Sequence, residues 1–232
     1  MSVRPDSLAA PPPGALYDAR RDVYFTKPVL RGWLHLLWFC VSLVAGTVLL
    51  LKAHGAARVT AAAIYVTSVS ALFGASALYH RGTWTVAWRH RLQRLDQLMI
   101  IVLIAGTATP PFLLAVPGGL GVAGLAAVWT LALAAATTRM VKMNAPERLV
   151  GGIYLGLGWA AALALPDVWI HAGAVAGALL LAGGLLYTAG AVFFHRRRPD
   201  PYPSVFGFHE VFHTWVCAAA TCQFAALALL IR

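Results

Sequence analysis

Seven apolar runs, each near 20 residues long, decide what this chain of 232 residues can fold into. They lie at roughly 33–51, 59–79, 95–114, 119–138, 149–165, 169–193 and 206–230. A bilayer's hydrocarbon core takes about 20 helical residues to cross, so every run is long enough to span it. Charged residues make up 11% of the chain, against about 25% in soluble domains. The expected class is all-α: a polytopic membrane protein built as a seven-transmembrane helix bundle. Residues 31–232 form that bundle, and residues 1–30, with Pro11, Pro12 and Pro13 and mixed charge, read as a mobile tail and juxtamembrane segment. The first run starts near Trp33 and is long enough to be an anchor, not a cleavable signal.

Prolines and glycines punctuate the runs. Pro110-Pro111 is expected to end the third span, Pro117-Gly118-Gly119 to turn into the fourth, and Pro166-Asp167 to separate the fifth from the sixth. Gly151, Gly152, Gly156 and Gly158 in the fifth span, and Gly183, Gly184 and Gly190 in the sixth, read as seams where helix backbones approach closely. No strand precedes them, which argues against phosphate loops.

The formal charge of +10 does not point to nucleic acid, because the basic residues sit between the spans. Of 18 Lys and Arg, fifteen fall on one side: Arg4, Arg20, Arg21, Lys27, Arg31, Arg81, Arg89, Arg91, Arg94, Arg139, Lys142, Arg148, Arg196, Arg197 and Arg198. Lys52, Arg58 and Arg232 are on the other. The positive-inside rule then puts the N-terminus in the cytoplasm and the C-terminus outside. Cys40, Cys217 and Cys222 all lie in apolar runs, where an odd count reads as small hydrophobes and not as a disulfide framework.

Ionisable residues inside spans are costly, about 2.5–3.5 kcal/mol for a charge at a helix centre, and so are functional candidates. His80 closes the second span with Ser76 one turn deeper on the same face, and Asp96 opens the third. His209, Glu210 and His213 open the seventh in the pattern H-E-x-x-H. Residues four apart share a helix face, so His209 and His213 can close on one metal ion. Three helices thus bring His80, Asp96 and the His209/His213 pair to one membrane depth at the cytoplasmic side. Three imidazoles with a carboxylate nearby suit an open, catalytic zinc site, where zinc acidifies water at neutral pH. The competing reading is a buried His/Asp/Ser network that only locks helices. Metal is favoured because unpaired imidazoles bind helices poorly in lipid and two share a face. Cys217 continues that face by one turn, but a thiolate in hydrocarbon is costly. His35 reads as an interfacial residue ahead of a support for the site, while His54, His90, His171 and His195 carry no assigned chemistry.

Taken together, Arg31-Gly32-Trp33-Leu34-His35, Ser76-Ala77-Leu78-Tyr79-His80, Leu95-Asp96, Gly151-Gly152 with Tyr154, and Phe206-Gly207-Phe208-His209-Glu210 with His213 resemble the hemolysin III proteins. These are the bacterial branch of the progestin and adipoQ receptor (PAQR) family, in a superfamily that includes alkaline ceramidases. The resemblance runs from about residue 25 to the end. It implies a seven-helix bundle with a cytoplasmic N-terminus in a bacterial plasma membrane. It also implies zinc on His80, His209 and His213, with Ser76 close by and Asp96 reaching the metal through water. In the receptor branch such a site is associated with hydrolysis of ceramide's amide bond. The position of Glu210 is often Gln in the receptors, which makes Asp96 the better general base.

The expected function is a zinc-dependent hydrolase of a lipid amide or ester, with Asp96 moving the proton and Ser76 supporting the oxyanion. The alternatives are a receptor or membrane-state sensor with structural zinc, a pore-forming hemolysin, and an intramembrane protease. No amphipathic pore-lining helix supports the third, and a third ligand as far upstream as His80 argues against the fourth.

Overall fold

The computed structural model describes residues 27–141 and 146–232, together with the backbone of three short strands nearer the N-terminus. These are β1 (Ser2–Val3), β2 (Leu16–Asp18) and β3 (Val23–Phe25), paired antiparallel with β3 in the middle. Pro11, Pro12, Pro13, Arg4, Arg20, Arg21 and Lys142 lie outside the described residues.

The remainder is helical: α1 (Trp33–Lys52), α2 (Ala56–Arg81), α3 (Val86–Leu114), α4 (Gly118–Val141), α5 (Glu147–Ala161), α6 (Leu165–His171), α7 (Ala174–Arg196) and α8 (Phe208–Ile231). A single 3-10 turn, Ala162–Ala164, joins α5 to α6, and the two cross as one element. Among the described residues, seven elements are therefore long and apolar enough to span a bilayer.

Three boundaries differ from expectation, each for a local reason. The third span begins at Val86, because the Thr85 hydroxyl accepts the Trp88 amide at 3.4 Å and caps a helix that already contains Arg89, Arg91 and Arg94. Those arginines belong to a helix, not to a loop. Pro110 and Pro111 sit inside α3, which runs on to Leu114 and ends where the Ala115 amide donates to the Pro111 carbonyl at 2.9 Å. Pro166 falls in the first turn of α6, where a missing N–H leaves no bond unmade. The chain reverses at Gly173 instead, with φ at 89°.

Packing is uneven. Within its apolar window α2 is 61% buried, α3 and α8 are each 50% buried, and the fifth span only 11%. Hence α2, α3 and α8 form most of the interior among the described residues. Leu49, Tyr65, Val69, Phe73, Val216 and Leu227 fill the core among α1, α2 and α8. Ile101, Ala105, Phe112, Val128 and Leu157 fill a second core among α3, α4 and α5. Gly106 allows the close contact of α2 with α3: a Cβ there would lie 2.1 Å from the Ser68 hydroxyl oxygen. Gly183 and Gly190 are seams as expected, against Gln223 and Trp215. Gly151, Gly152, Gly156, Gly158 and Gly184 are not: a Cβ at any of them would meet open space, and the first four lie on the fifth span, which is mostly exposed.

Candidate metal centre

The C-terminal end of α2 and the N-terminal ends of α1 and α8 meet at one end of the bundle. A cation is favoured near the partial negative charge of a helix C-terminus and disfavoured at an N-terminus. His80 comes from the favourable end. At α8 the unfavourable end is offset by acidic groups. Asp200 Oδ1 accepts the Phe208 amide and Glu210 Oε2 accepts the Gly207 amide, each at 2.8 Å. Gly207 is the cap residue and has no side chain, so the Glu210 half of a capping box stands alone.

His80, His209 and His213 converge so that one nitrogen of each lies within 4.8 Å of the others. The ring centroids are 4.8 Å apart for His80 and His209, 5.1 Å for His80 and His213, and 4.6 Å for His209 and His213. His80 and His213 are buried and His209 is partly so. The fit to a metal rests on two observations. His213 Nδ1 is buried with no hydrogen-bond partner, a costly state that coordination would remove. The donor set, three imidazoles, is also one that zinc and similar divalent ions accept.

Asp96 lies just outside this group, its Oδ2 4.0 Å from His80 Nε2, and its carboxylate faces the Ser76 hydroxyl. Ser76 is buried and meets His35 Nδ1 at 2.8 Å. When that nitrogen carries its proton, the Ser76 hydroxyl hydrogen is left for the carboxylate or for a ligand. The structure thus brings His80, His209, His213, Asp96 and Ser76 together at this end of the bundle. Cys217 is one turn deeper in the apolar core and does not join the cluster.

Two residues take surroundings that the sequence reading did not favour. His35 is no interfacial residue: it is 3% exposed, stacked on His213 at 3.6 Å between centroids and 13° between planes, and packed edge-on against Phe73. The signal was its place in the first turn of α1, at the same end of the bundle as His80. Glu210 turns away from the histidines to form an ion pair with Arg31 and is 1% exposed. Its two oxygens are occupied by Arg31 and the Gly207 amide, the environment of a structural cap.

The segment ahead of α1 straps across this end. The Val29 and Leu30 amides donate to the Ser204 and Val205 carbonyls at 3.0 and 3.1 Å, and Lys27 Nζ reaches the Gly82 carbonyl at 3.4 Å. Gly32 holds the strap against α2: its φ is 81°, and a Cβ there would come 2.7 Å from that of His80.

A family model described as Haemolysin-III related matches residues 23–224. The chain is similar to a protein named Hemolysin-3 homolog from Bacillus subtilis (strain 168), 29% identical over 161 residues, 69% of this chain and 72% of the relative. It is also similar to one named Hemolysin-3 from Bacillus cereus, 29% identical over 182 residues, 75% of this chain and 81% of the relative.

Proposed function

The chain belongs to the haemolysin-III related family, and on that premise we propose that it is a membrane-embedded, zinc-dependent hydrolase of a lipid amide or ester. Its role would be in membrane lipid homeostasis, in the plasma membrane of a bacterial cell. The observation that carries this reading is the buried His80, His209 and His213 cluster with the Asp96 carboxylate at its edge. His80, His209 and His213 would hold the ion. Zinc bound by three imidazoles supplies Lewis-acid polarisation of a carbonyl and of water.

The chain's own groups do the rest. Asp96 takes a proton from the attacking water and returns it to the leaving amine or alcohol. Ser76 donates its hydroxyl hydrogen to the carbonyl oxygen as charge builds there, its orientation held by His35 Nδ1. His35 shields the far face of His213 from solvent. The basic side of the bundle, with the N-terminus, faces the cytoplasm, and residues 31–232 act as one seven-helix domain behind the N-terminal tail.

One observation favours a second reading, a receptor or membrane-state sensor with structural zinc. The strap of residues 29–31 covers the end of the bundle at which the cluster sits, so the metal would hold α2 and α8 together without consuming a substrate. The two readings part on purified protein given labelled ceramides and phospholipids. Under the hydrolase reading, His80→Ala, His209→Ala and His213→Ala each lose zinc. Asp96→Asn keeps zinc by elemental analysis and loses turnover by about 10²–10⁴-fold. Full turnover in Asp96→Asn would end the hydrolase mechanism, and zinc without turnover of any lipid leaves the sensor.

A further inference from the structure

Beside the histidine cluster the structure gathers cations from three elements. Arg31 precedes α1, Arg81 ends α2 next to His80, and Arg89 lies in the first turn of α3 and bonds the Tyr79 side chain. Lys27, in the strap, reaches the carbonyl of Gly82. The guanidinium of Arg81 lies 3.8 Å over the Trp33 ring, and its Cγ would be 3.3 Å from a Cβ on Gly32. Backbone contacts therefore hold Lys27, Arg31 and Arg81 around the same corner as His80.

Among the described residues, carboxylates engage only part of this group. Glu210 is engaged by Arg31 and by the Gly207 amide, and Asp96 faces Ser76. Neither Lys27 nor Arg81 meets a carboxylate among the described residues. Burial first, and then the charges of Arg81, Arg31 and Arg89, lower the pKa of Lys27 below the usual lysine value. Like charges held this close, in a partly desolvated corner, are relieved by an anion. Guanidinium forks suit a phosphate's geometry better than ammonium groups alone would.

We infer that Lys27 and Arg81, flanked by Arg31 and Arg89, form a receptor for a phosphate group carried by a lipid, beside the histidine cluster. For its consequence this rests on the hydrolase reading: the lipid brought to His80, His209 and His213 is a phospholipid, not a neutral ceramide. A phosphate held by this corner leaves the glycerol or amide linkage to descend toward Ser76 and Asp96.

The test is native mass spectrometry of the full chain in detergent, titrated with phosphatidylglycerol, with diacylglycerol of the same acyl chains, and with inorganic phosphate. Phosphatidylglycerol should bind well ahead of diacylglycerol. The double variant Lys27→Gln/Arg81→Gln should lose about thirtyfold in phosphatidylglycerol affinity, two basic contacts near an anionic surface. The pair Arg196→Gln/Arg198→Gln, at the end of α7, should leave that affinity unchanged, and Lys27→Arg/Arg81→Lys should restore it, which guards against misfolding. An equal loss from the α7 pair would mean general surface charge and overturn the inference. So would displacement of the lipid by an equal concentration of inorganic phosphate. Preference for phosphatidylglycerol with no lipid turned over supports the receptor and sinks the hydrolase reading. Turnover of ceramide with no such preference does the reverse.

Discussion

Replacing Glu210 separates its two chemical roles. In H-E-x-x-H enzymes the glutamate is a base, and removing its charge abolishes turnover while the fold stays intact. Here the carboxylate is 1% exposed, with Oε1 on Arg31 and Oε2 on the Gly207 amide. Breaking a fully buried ion pair costs about 3–5 kcal/mol. Arg31 keeps 15% of its side chain exposed and regains some solvation, so the cost falls just below that range, about 2–3 kcal/mol. Loss of the cap bond adds about 1 kcal/mol. Glu210→Ala is then expected to cost about 3–4 kcal/mol, a fall of roughly 6–16 °C in unfolding temperature for a domain of this size. Glu210→Gln keeps the shape and one acceptor oxygen but turns an amide NH2 toward the other donor, so it should also destabilise, by less than the alanine variant. The assay is thermal unfolding in detergent beside zinc content and lipid turnover. Glu210→Gln should be less stable, zinc-loaded and active. An unchanged unfolding temperature and zinc content, with turnover gone, would refute the structural role and restore the glutamate base.

Other perturbations probe the same corner. Gly32→Ala puts a Cβ on a residue at φ 81° and 2.7 Å from that of His80; it should cost at least about 1–2 kcal/mol and weaken zinc retention, read by elemental analysis after dialysis. His35→Phe keeps a ring on His213 but loses the bond to Ser76, so zinc affinity should fall about tenfold, measured by competition with a fluorescent chelator. Gly106→Leu drives a side chain into Ser68 at the α2–α3 seam and should destabilise by about 1–3 kcal/mol or more, whereas Gly156→Leu, facing open space, should leave the unfolding temperature unchanged.

The seven spans and the meeting of His80 with His209 and His213 were legible because both follow from one-dimensional rules. Length and apolarity give the crossings, and an alternating topology brings the end of α2 and the start of α8 to the same side. The partners of His35 and Glu210 were not legible. Whether His35 faces lipid or His213 depends on the rotation of α1 about its own axis, and no periodicity in an all-apolar helix reports that. Arg31 and Glu210 are 179 residues apart, and either charge alone reads as interfacial. The extra turns of α3 were hidden because Arg89, Arg91 and Arg94 carry a topology signal that outweighs their helix propensity. The fifth span's glycines misled for the opposite reason: small residues permit close packing without supplying a partner.

The hydrogen bonds from Val29 and Leu30 to Ser204 and Val205 join two stretches far apart in the chain. A nascent chain threading into the bilayer carries His35 and His80 long before it carries His209 and His213. Only insertion of α8 closes the ring. A chain halted ahead of residue 208 therefore holds one of the three clustered histidines, and the other two arrive together on a single helix.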